Sequence, residues 1–480
     1  MNRCVWSRRP SRTVTAAEPT GQPGAVHRGW VLVAMSGALA MTFIDETGVG
    51  VALSTIRREL HTSRLEVHWV MNAYMLTLAA FVAVGGRSSD LFGRRRVFTI
   101  GLVVFGLGSL ACALAPDAVW LIGFRAAQGV GAALMIPTAL AIVAQAYPPE
   151  QRGRAVGTYI GAASVFYVIG PLLAGALTQQ VSWRLIFAIN VPIAVAIWII
   201  SGLTVARDPG IARRERFDMA GLVTNAAGLG VLVMAIMQAP SWGWGSLPVV
   251  LLIAAAVALF AAFVVVERRP EPLFDLGILR SGTFSGAVAI VFLVYVVYLG
   301  LIVYLPLFLQ HEAGLKPFGA GVALMLALAP IIFVAPVNGR IIDHTGARLP
   351  TVITGSAGVA AFVWLAVAAS THSLLLLVPA LVLYGVSIPA AYNSAVTVAQ
   401  NVVTDEQRGQ ASGIITSAAQ AGAPIGVAMV GAVVVAVSGS QDYTTAGFQA
   451  GFLACAAASA LIVVLAFTLP RTPHAARSAH

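Results

Sequence analysis

The sequence predicts an all-α integral membrane protein: two pseudo-symmetric six-helix bundles with two helices inserted between them, fourteen transmembrane helices in all. Three observations carry this. The chain repeats itself, with GRSSDLFGRR at Gly86–Arg95 and GRIIDHTGAR at Gly339–Arg348 sharing the pattern G-R-x-x-D-x-x-G-x-R at an offset of 253 residues. EQRGRAVG at Glu150–Gly157 and EQRGQASG at Glu406–Gly413 repeat at nearly the same offset. Short periods mark solenoids, whereas an offset of about half the chain marks duplication of a large unit, and in an apolar chain two such halves are the architecture of a secondary transporter. The second observation is composition: 58% hydrophobic and 10% charged residues, with a mean hydropathy of +0.86, against roughly 25% charged in a soluble domain. The third is charge placement. With the N-terminus in the cytoplasm, 23 of the 29 basic residues fall on the cytoplasmic side, five outside (Arg57, Arg58, Arg64, Arg184, Lys316) and one, Arg125, within a span, as the positive-inside rule requires.

A span takes about 20 mostly apolar residues. Residues 1–28 are polar and expected to form a disordered cytoplasmic segment. The apolar run that follows carries Asp45 and Glu46 and lacks a small-residue cleavage site, so it reads as a retained first span rather than a signal peptide. Residues 29–206 form the first bundle, with spans at 30–56, 66–87, 97–115, 119–146, 155–180 and 183–205. Residues 207–282 are a linker: an Arg-rich stretch, Arg207 to Arg216, then extra spans at 217–239 and 247–267. An even number of added helices preserves the orientation of the second half, and the Trp-rich turn Ser241–Ser246 between them suits an outer interfacial anchor. Residues 283–470 form the second bundle, with spans at 283–310, 318–339, 350–370, 373–400, 409–438 and 446–470, and 471–480 is a cytoplasmic tail. Backbone groups in lipid must satisfy one another, so these are helices; barrel strands would alternate over ten-residue segments.

Several functions are excluded. The net charge of +10 lies in short Arg clusters between apolar runs, not on a basic face interleaved with aromatics, so nucleic acid is not a partner. Cys4, Cys112 and Cys455 have no ligand or redox spacing and read as apolar filler, and no metal site is expected. No Walker loop or soluble catalytic domain is present, so the chain reads as no enzyme, needing no cofactor and driven by an ion gradient.

Of nineteen acids, only Asp45 and Glu46, in MTFIDETGVGVAL, lie well inside a span. A charge at the bilayer centre costs about 2.5–3.5 kcal/mol on insertion scales, so such residues mark ion or substrate paths or form structural pairs. Neighbours on a helix point about 100° apart, so one is expected to face the central cavity and the other a helix interface. An apolar cleft makes a charged carboxyl costly, which permits proton loading near neutral pH. Arg125, in LIGFRAAQGVGAA, is the cation inside a span; it reads as a counter-charge for a first-helix carboxylate or as a structural residue bonding carbonyls. The loops at Gly86, Asp90, Gly93, Arg94 and Arg95 and at Gly339, Asp343, Gly346 and Arg348 place an acid and arginines between helix ends. An acid near a helix N-terminus is favoured by its exposed N–H groups, so these loops are expected to latch one packing of the halves. In the fifth span, Gly157, Gly161, Gly170, Pro171, Ala174 and Gly175 allow close helix approach and a bend. Asn72, Tyr74, Tyr159, Phe166, Tyr295, Tyr298, Tyr392 and Asn393 are candidates to line a substrate pocket, each also compatible with ordinary packing.

On these residues the chain resembles the major facilitator superfamily, specifically the fourteen-helix drug:proton antiporters of EmrB/QacA type, over about residues 29–470. Gly86, Asp90, Gly93, Arg94 and Arg95 match the loop motif between helices 2 and 3. Arg125, Gln128 and Gly129 match the fourth-helix motif associated with proton transfer, and Gly170, Pro171 and Gly175 the fifth-helix antiporter motif, with Ala174 in place of a usual glycine. Asp45 and Thr47 match the first-helix motif, but Gly50 and Ser54 stand where the family commonly has asparagine and proline, and Glu46 adds an acid. The resemblance implies a monomeric proton-coupled exporter of hydrophobic, often cationic, small molecules in a bacterial plasma membrane, with both termini cytoplasmic. An exporter dedicated to one metabolite would use the same mechanism.

Overall fold

A computed structural model describes residues 25–206, 208, 219–268, 276–371, 373–404, 407–439 and 443–471. Among them are sixteen α-helices, a short 3-10 helix and no strand, and they provide fourteen candidate membrane spans. The first bundle comprises α1 (Ala25–Glu59), α2 (Arg64–Phe92), α3 (Arg94–Ala113), α4 (Ala118–Ala146), α5 (Pro149–Gln180) and a sixth span divided into α6 (Arg184–Ala188) and α7 (Asn190–Thr204). The inserted pair is α8 (Met219–Trp242) and α9 (Leu247–Val266). The second bundle comprises α10 (Gly282–His311), a span divided into α11 (Pro317–Leu328) and α12 (Ile331–Thr345), α13 (Arg348–Ala369), α14 (Leu374–Asn401), α15 (Arg408–Ser438) and α16 (Thr445–Ala466).

Local chemistry sets the ends and breaks. The Ser63 hydroxyl accepts from Glu66 N and the Glu66 carboxylate accepts from Ser63 N, a capping box that starts α2. Asp117 caps α4 and Thr444 caps α16, each side chain accepting one backbone N–H, from Trp120 and Gly447. The two divided spans break at proline: Pro192 has no N–H for the Ala188 carbonyl, and Pro330 stands between α11 and α12. α1 starts at Ala25, earlier than the expected boundary at residue 29, so Ala25–Arg28 belong to the first helix. The segment 1–24, most of the Arg-rich linker (207 and 209–218), Glu406 and the tail from 472 lie outside the described residues.

In the first bundle α1 packs on α5, and α4 packs on α2 and α3; in the second, α10 packs on α15, and α13 on α14 and α16. The inserted α8 lies against both α2 and α15, so Leu229, Val233 and Met237 share an apolar cluster with Ala79 and Ala428. α9 buries only Val249 and Ala256 and leaves its other faces for lipid. At the α8–α9 turn Trp242 and Trp244 are 45% and 56% exposed, as an interfacial anchor needs.

The halves are joined at the end that carries Arg57, Lys316 and Gly439. Gln310 donates to Val51 O at 2.9 Å and is bonded by the Ser54 hydroxyl. Phe318 N donates to Gln179 Oε1 at 3.1 Å, and Arg64 donates to Gly439 O at 3.1 Å. Buried His68 of α2 meets the Tyr304 and Tyr443 hydroxyls of the second half at 3.2 and 2.9 Å. Toward the other end α5 is buried on a single stripe, Ala155, Tyr159, Ala163 and Tyr167. The seam is closed at the Arg57 end, while toward the Gly86–Arg95 loop α5 is largely exposed.

Candidate functional site

The two acids of α1 separate into two environments. Asp45 is fully buried in the first bundle. Its Oδ2 accepts from Arg125 Nη1 at 2.5 Å and its Oδ1 from Gln128 Nε2 at 3.0 Å. Arg125, also fully buried, donates from Nε to Val70 O at 3.0 Å and from Nη1 to Gln128 Oε1 at 2.7 Å, and stacks on the Tyr74 ring at 4.2 Å. Gln128 Nε2 donates to Ser109 Oγ at 2.7 Å, and Asn190 Nδ2 reaches the same hydroxyl at 3.3 Å. Cys112, expected to be filler, places its thiol 3.9 Å from Gln128 Oε1. Five helices therefore contribute to one buried polar network. Arg125 Nη2, the Tyr74 hydroxyl and Asn190 Oδ1 remain without partners inside it, so rearranged partners are available when the bundle flexes.

Glu46 is half-buried and faces the cleft between the bundles, within electrostatic reach of Tyr167, Tyr295 and Tyr298. Those rings form a ladder across the cleft. Tyr167 of α5 stacks on Tyr298 of α10 at 5.7 Å and 14°, and Tyr298 stacks on Tyr384 of α14 at 6.2 Å and 16°. Tyr295 sits 6.4 Å from Tyr298 and 5.8 Å from Tyr392, while Phe43 meets Tyr167 edge-on at 4.9 Å. Parallel π-faces beside one carboxylate suit a flat cation, since ring faces attract cations.

Not every candidate belongs to this cleft. Tyr295, Tyr298 and Tyr392 line it, with half-buried Asn393 beside Tyr392. Tyr159 is buried on the same stripe of α5, two turns from Tyr167. Tyr74 instead covers Arg125. Asn72 is buried and donates to Met237 Sδ at 2.9 Å, so it anchors α8. Phe166 is 45% exposed on α5. Tyr167 and Tyr384 are not among the sequence candidates; their positions in apolar runs carry no signal.

The fifth-helix motif splits as well. A Cβ on Gly170 would lie 2.5 Å from Thr47 Oγ1 of α1, and one on Gly175 2.5 Å from Pro317 O of α11. Ala174 packs against Gly48, and the Pro171 carbonyl meets Gly321. This stretch joins α5 to α1 within its bundle and to α11 across the closed seam. Gly157 and Gly161 face open space instead: a Cβ on either would meet nothing within 4 Å, so they make no close helix approach.

The loop motifs fasten each bundle to itself. Arg94 Nη2 lies 3.4 Å from Asp90 Oδ1 and Arg94 Nη1 donates to Ala141 O and Gln145 Oε1 of α4. Asp90 ends α2 and does not occupy the N-terminus of α3. That place belongs to Asp208, whose two carboxylate oxygens accept from Arg95 N and Arg96 N at 3.0 and 3.1 Å. Gly93, at φ +98, leaves room for it. Arg95 donates to Val205 O and Gly202 O at the end of α7. Its counterpart in the repeat, Arg348, donates to Leu469 O and Phe467 O just beyond α16, and Gly346 repeats the positive φ at +75. Gly86 and Gly339 lie on the preceding helices, α2 and α12; the Asp343 side chain lies outside the described residues. Among the described contacts, Arg94, Arg95 and Arg348 each bond within their own half.

The sequence profile of the Major Facilitator Superfamily matches residues 35–427. The chain belongs to this superfamily. It is 32% identical to the multidrug resistance protein Stp of Mycobacterium tuberculosis over 407 residues, 84% of this chain and 75% of that protein. Similarity to the tetracenomycin C resistance and export protein of Streptomyces glaucescens is 32% over 431 residues, covering 87% and 79%. The puromycin resistance protein pur8 of Streptomyces alboniger is 32% identical over 434 residues, covering 89% and 86%. Among solved structures, a peptide transporter POT bound to sulfate matches with TM-score 0.68 at 15% identity, covering 94% of this chain and 95% of that one. A bacterial homologue of the lysosomal transporter Spinster, inward-facing and occupied, matches at 0.65 and 18%, covering 92% and 96%. The superfamily member is a multi-pass membrane transporter of small molecules, not an enzyme.

Proposed function

We propose that this transporter is a proton-coupled exporter of hydrophobic, often cationic aromatic compounds, a drug/H+ antiporter of the bacterial plasma membrane. It works as a monomer with both termini cytoplasmic and needs no cofactor. The observation that carries this reading is the division of Asp45 from Glu46: one carboxylate neutralised inside a bundle, the other beside a tyrosine ladder in the cleft. Glu46 meets either a proton or a cation, and the two compete for it. Arg125 and Gln128 hold Asp45 so that movement of α1 against α4 redistributes charge within the bundle. The bundles rock about the cleft, giving alternating access. Each proton entering across 100 mV supplies about 2.3 kcal/mol, enough for roughly a 50-fold substrate gradient at about 1.4 kcal/mol per tenfold.

The test uses proteoliposomes with an imposed pH gradient and an aromatic fluorescent cation. Wild type should move the cation against its gradient with coupled proton flux, and a pH gradient that drives no cation movement contradicts the reading. The resistance relatives include proteins named for one antibiotic, so a dedicated exporter is the second reading; competition by many unrelated aromatic cations argues against it.

A further inference from the structure

At the closed end of the seam lies a cavity of about 740 Å³ lined by Arg57, Arg58, His61, His311 and Lys316, with Ser54, Gln310 and Thr62 as polar neighbours. Both halves contribute: Arg57 and Arg58 end α1, and Lys316 precedes α11. Five basic residues fall on the face assigned to the outside, against the general bias, and three of them converge here from positions 258 residues apart in sequence. No acid is among the described lining residues. Of the described acids of this face, Glu59 bonds Trp183 and pairs with Arg184, Glu66 closes its capping box and accepts from Thr62 at the cavity rim, Glu312 accepts from Thr445, and Asp117 caps α4. The side chains of Arg58 and Lys316 make no hydrogen bond or ion pair among the described residues. The N-terminal end of α11 adds its positive dipole at Pro317. His61 holds φ +49, a conformation that side chains adopt at a cost and that gathers at functional sites.

We propose that this cavity is an oxyanion-binding site, taking a carboxylate, phosphate or sulfonate between Arg58 and Lys316. An arginine fork from the end of α1 and a lysine ammonium from the residue before α11 match such a group in charge and donor type. The group has two possible sources: an acidic substituent on a departing substrate, or a free anion of the outer medium. The site itself does not depend on proton coupling.

The first arm titrates purified full-length protein with citrate and with inorganic phosphate at constant ionic strength set by chloride, following thermal stabilisation. Wild type should show saturable stabilisation. The Arg58→Gln/Lys316→Gln protein should bind about tenfold more weakly, while Arg184→Gln, outside the cavity, should behave as wild type. Retained binding of tetraphenylphosphonium by the double variant shows that it is folded and its cleft intact. Citrate that stabilises wild type no better than chloride overturns the proposal, as does an equal loss in Arg184→Gln. The second arm compares export of an aromatic carboxylate with that of its methyl ester by proteoliposomes. Selective slowing of the carboxylate in the double variant assigns the group to the substrate; equal rates with citrate binding intact in wild type assign it to a free anion. Absence of proton-driven transport would leave the citrate titration unaffected, so the two readings fail separately.

Discussion

Asp45 and Glu46 are adjacent on α1 and face different parts of the molecule: Asp45 is sealed against Arg125 in the first bundle, and Glu46 looks into the cleft between bundles. The roughly 100° step of a helix makes one short segment serve both. A small rotation of α1 moves both carboxylates at once, which is what coupling substrate to a bundle rearrangement demands.

The Asp45–Arg125 pair should behave as a unit. Removing one partner of a buried pair leaves an uncompensated charge and costs about 3–5 kcal/mol. Arg125→Gln should therefore lower thermal stability more than Asp45→Asn/Arg125→Gln does, while neither protein exports actively. Additive losses in a denaturation cycle would show that the two residues are not coupled.

Tyr298 stands in the middle of the ring ladder. A cation over an aromatic face in a desolvated site gains about 1–2 kcal/mol, so Tyr298→Ala should weaken binding of an aromatic cation by about 5- to 30-fold. Tyr298→Phe should retain most affinity. Equilibrium binding by fluorescence quenching separates these outcomes.

Asp208 and Asp90 should differ in stability. Asp208 caps α3 with two backbone bonds, and loss of a cap costs about 1 kcal/mol. Asp90 makes an exposed pair with Arg94 at 59% and 35% exposure, worth at most about 0.5 kcal/mol. Thermal denaturation of Asp208→Ala and Asp90→Ala checks the order, and a larger loss in Asp90→Ala would reverse the assignment.

Gly175 controls the closed seam through its contact with Pro317. Gly175→Leu should force the seam apart, and spin-label distances between the outer ends of α1 and α10 should shift toward the longer population. Gly161→Ala should leave the distribution unchanged, because that position faces open space.

The fourteen spans were legible because each is a long apolar run, and the duplication because two polar loops repeat. Asp45, Glu46 and Arg125 stood out because charge in an apolar run is conspicuous. Ser109, Asn190 and Cys112 did not, since small polar residues occur in many membrane helices, and only the packing of α3 on α4 and of α7 on α3 gathers them around Gln128. Asp208 was hidden in a charged linker; its role arises from the approach of the end of α7 to Gly93. Asn72 and Tyr74 were misplaced because sequence does not say which face of α2 meets α8, which meets α4 and which meets the cleft.

The central claim is that a proton and a substrate cation compete for Glu46, and proton release from unbuffered purified protein on addition of an aromatic cation tests it most directly. Wild type should release protons in proportion to the cation bound. Glu46→Gln should bind a neutral aromatic analogue normally and release none. Proton release as full from Glu46→Gln as from wild type would contradict the account and move the exchangeable proton to Asp45 or beyond.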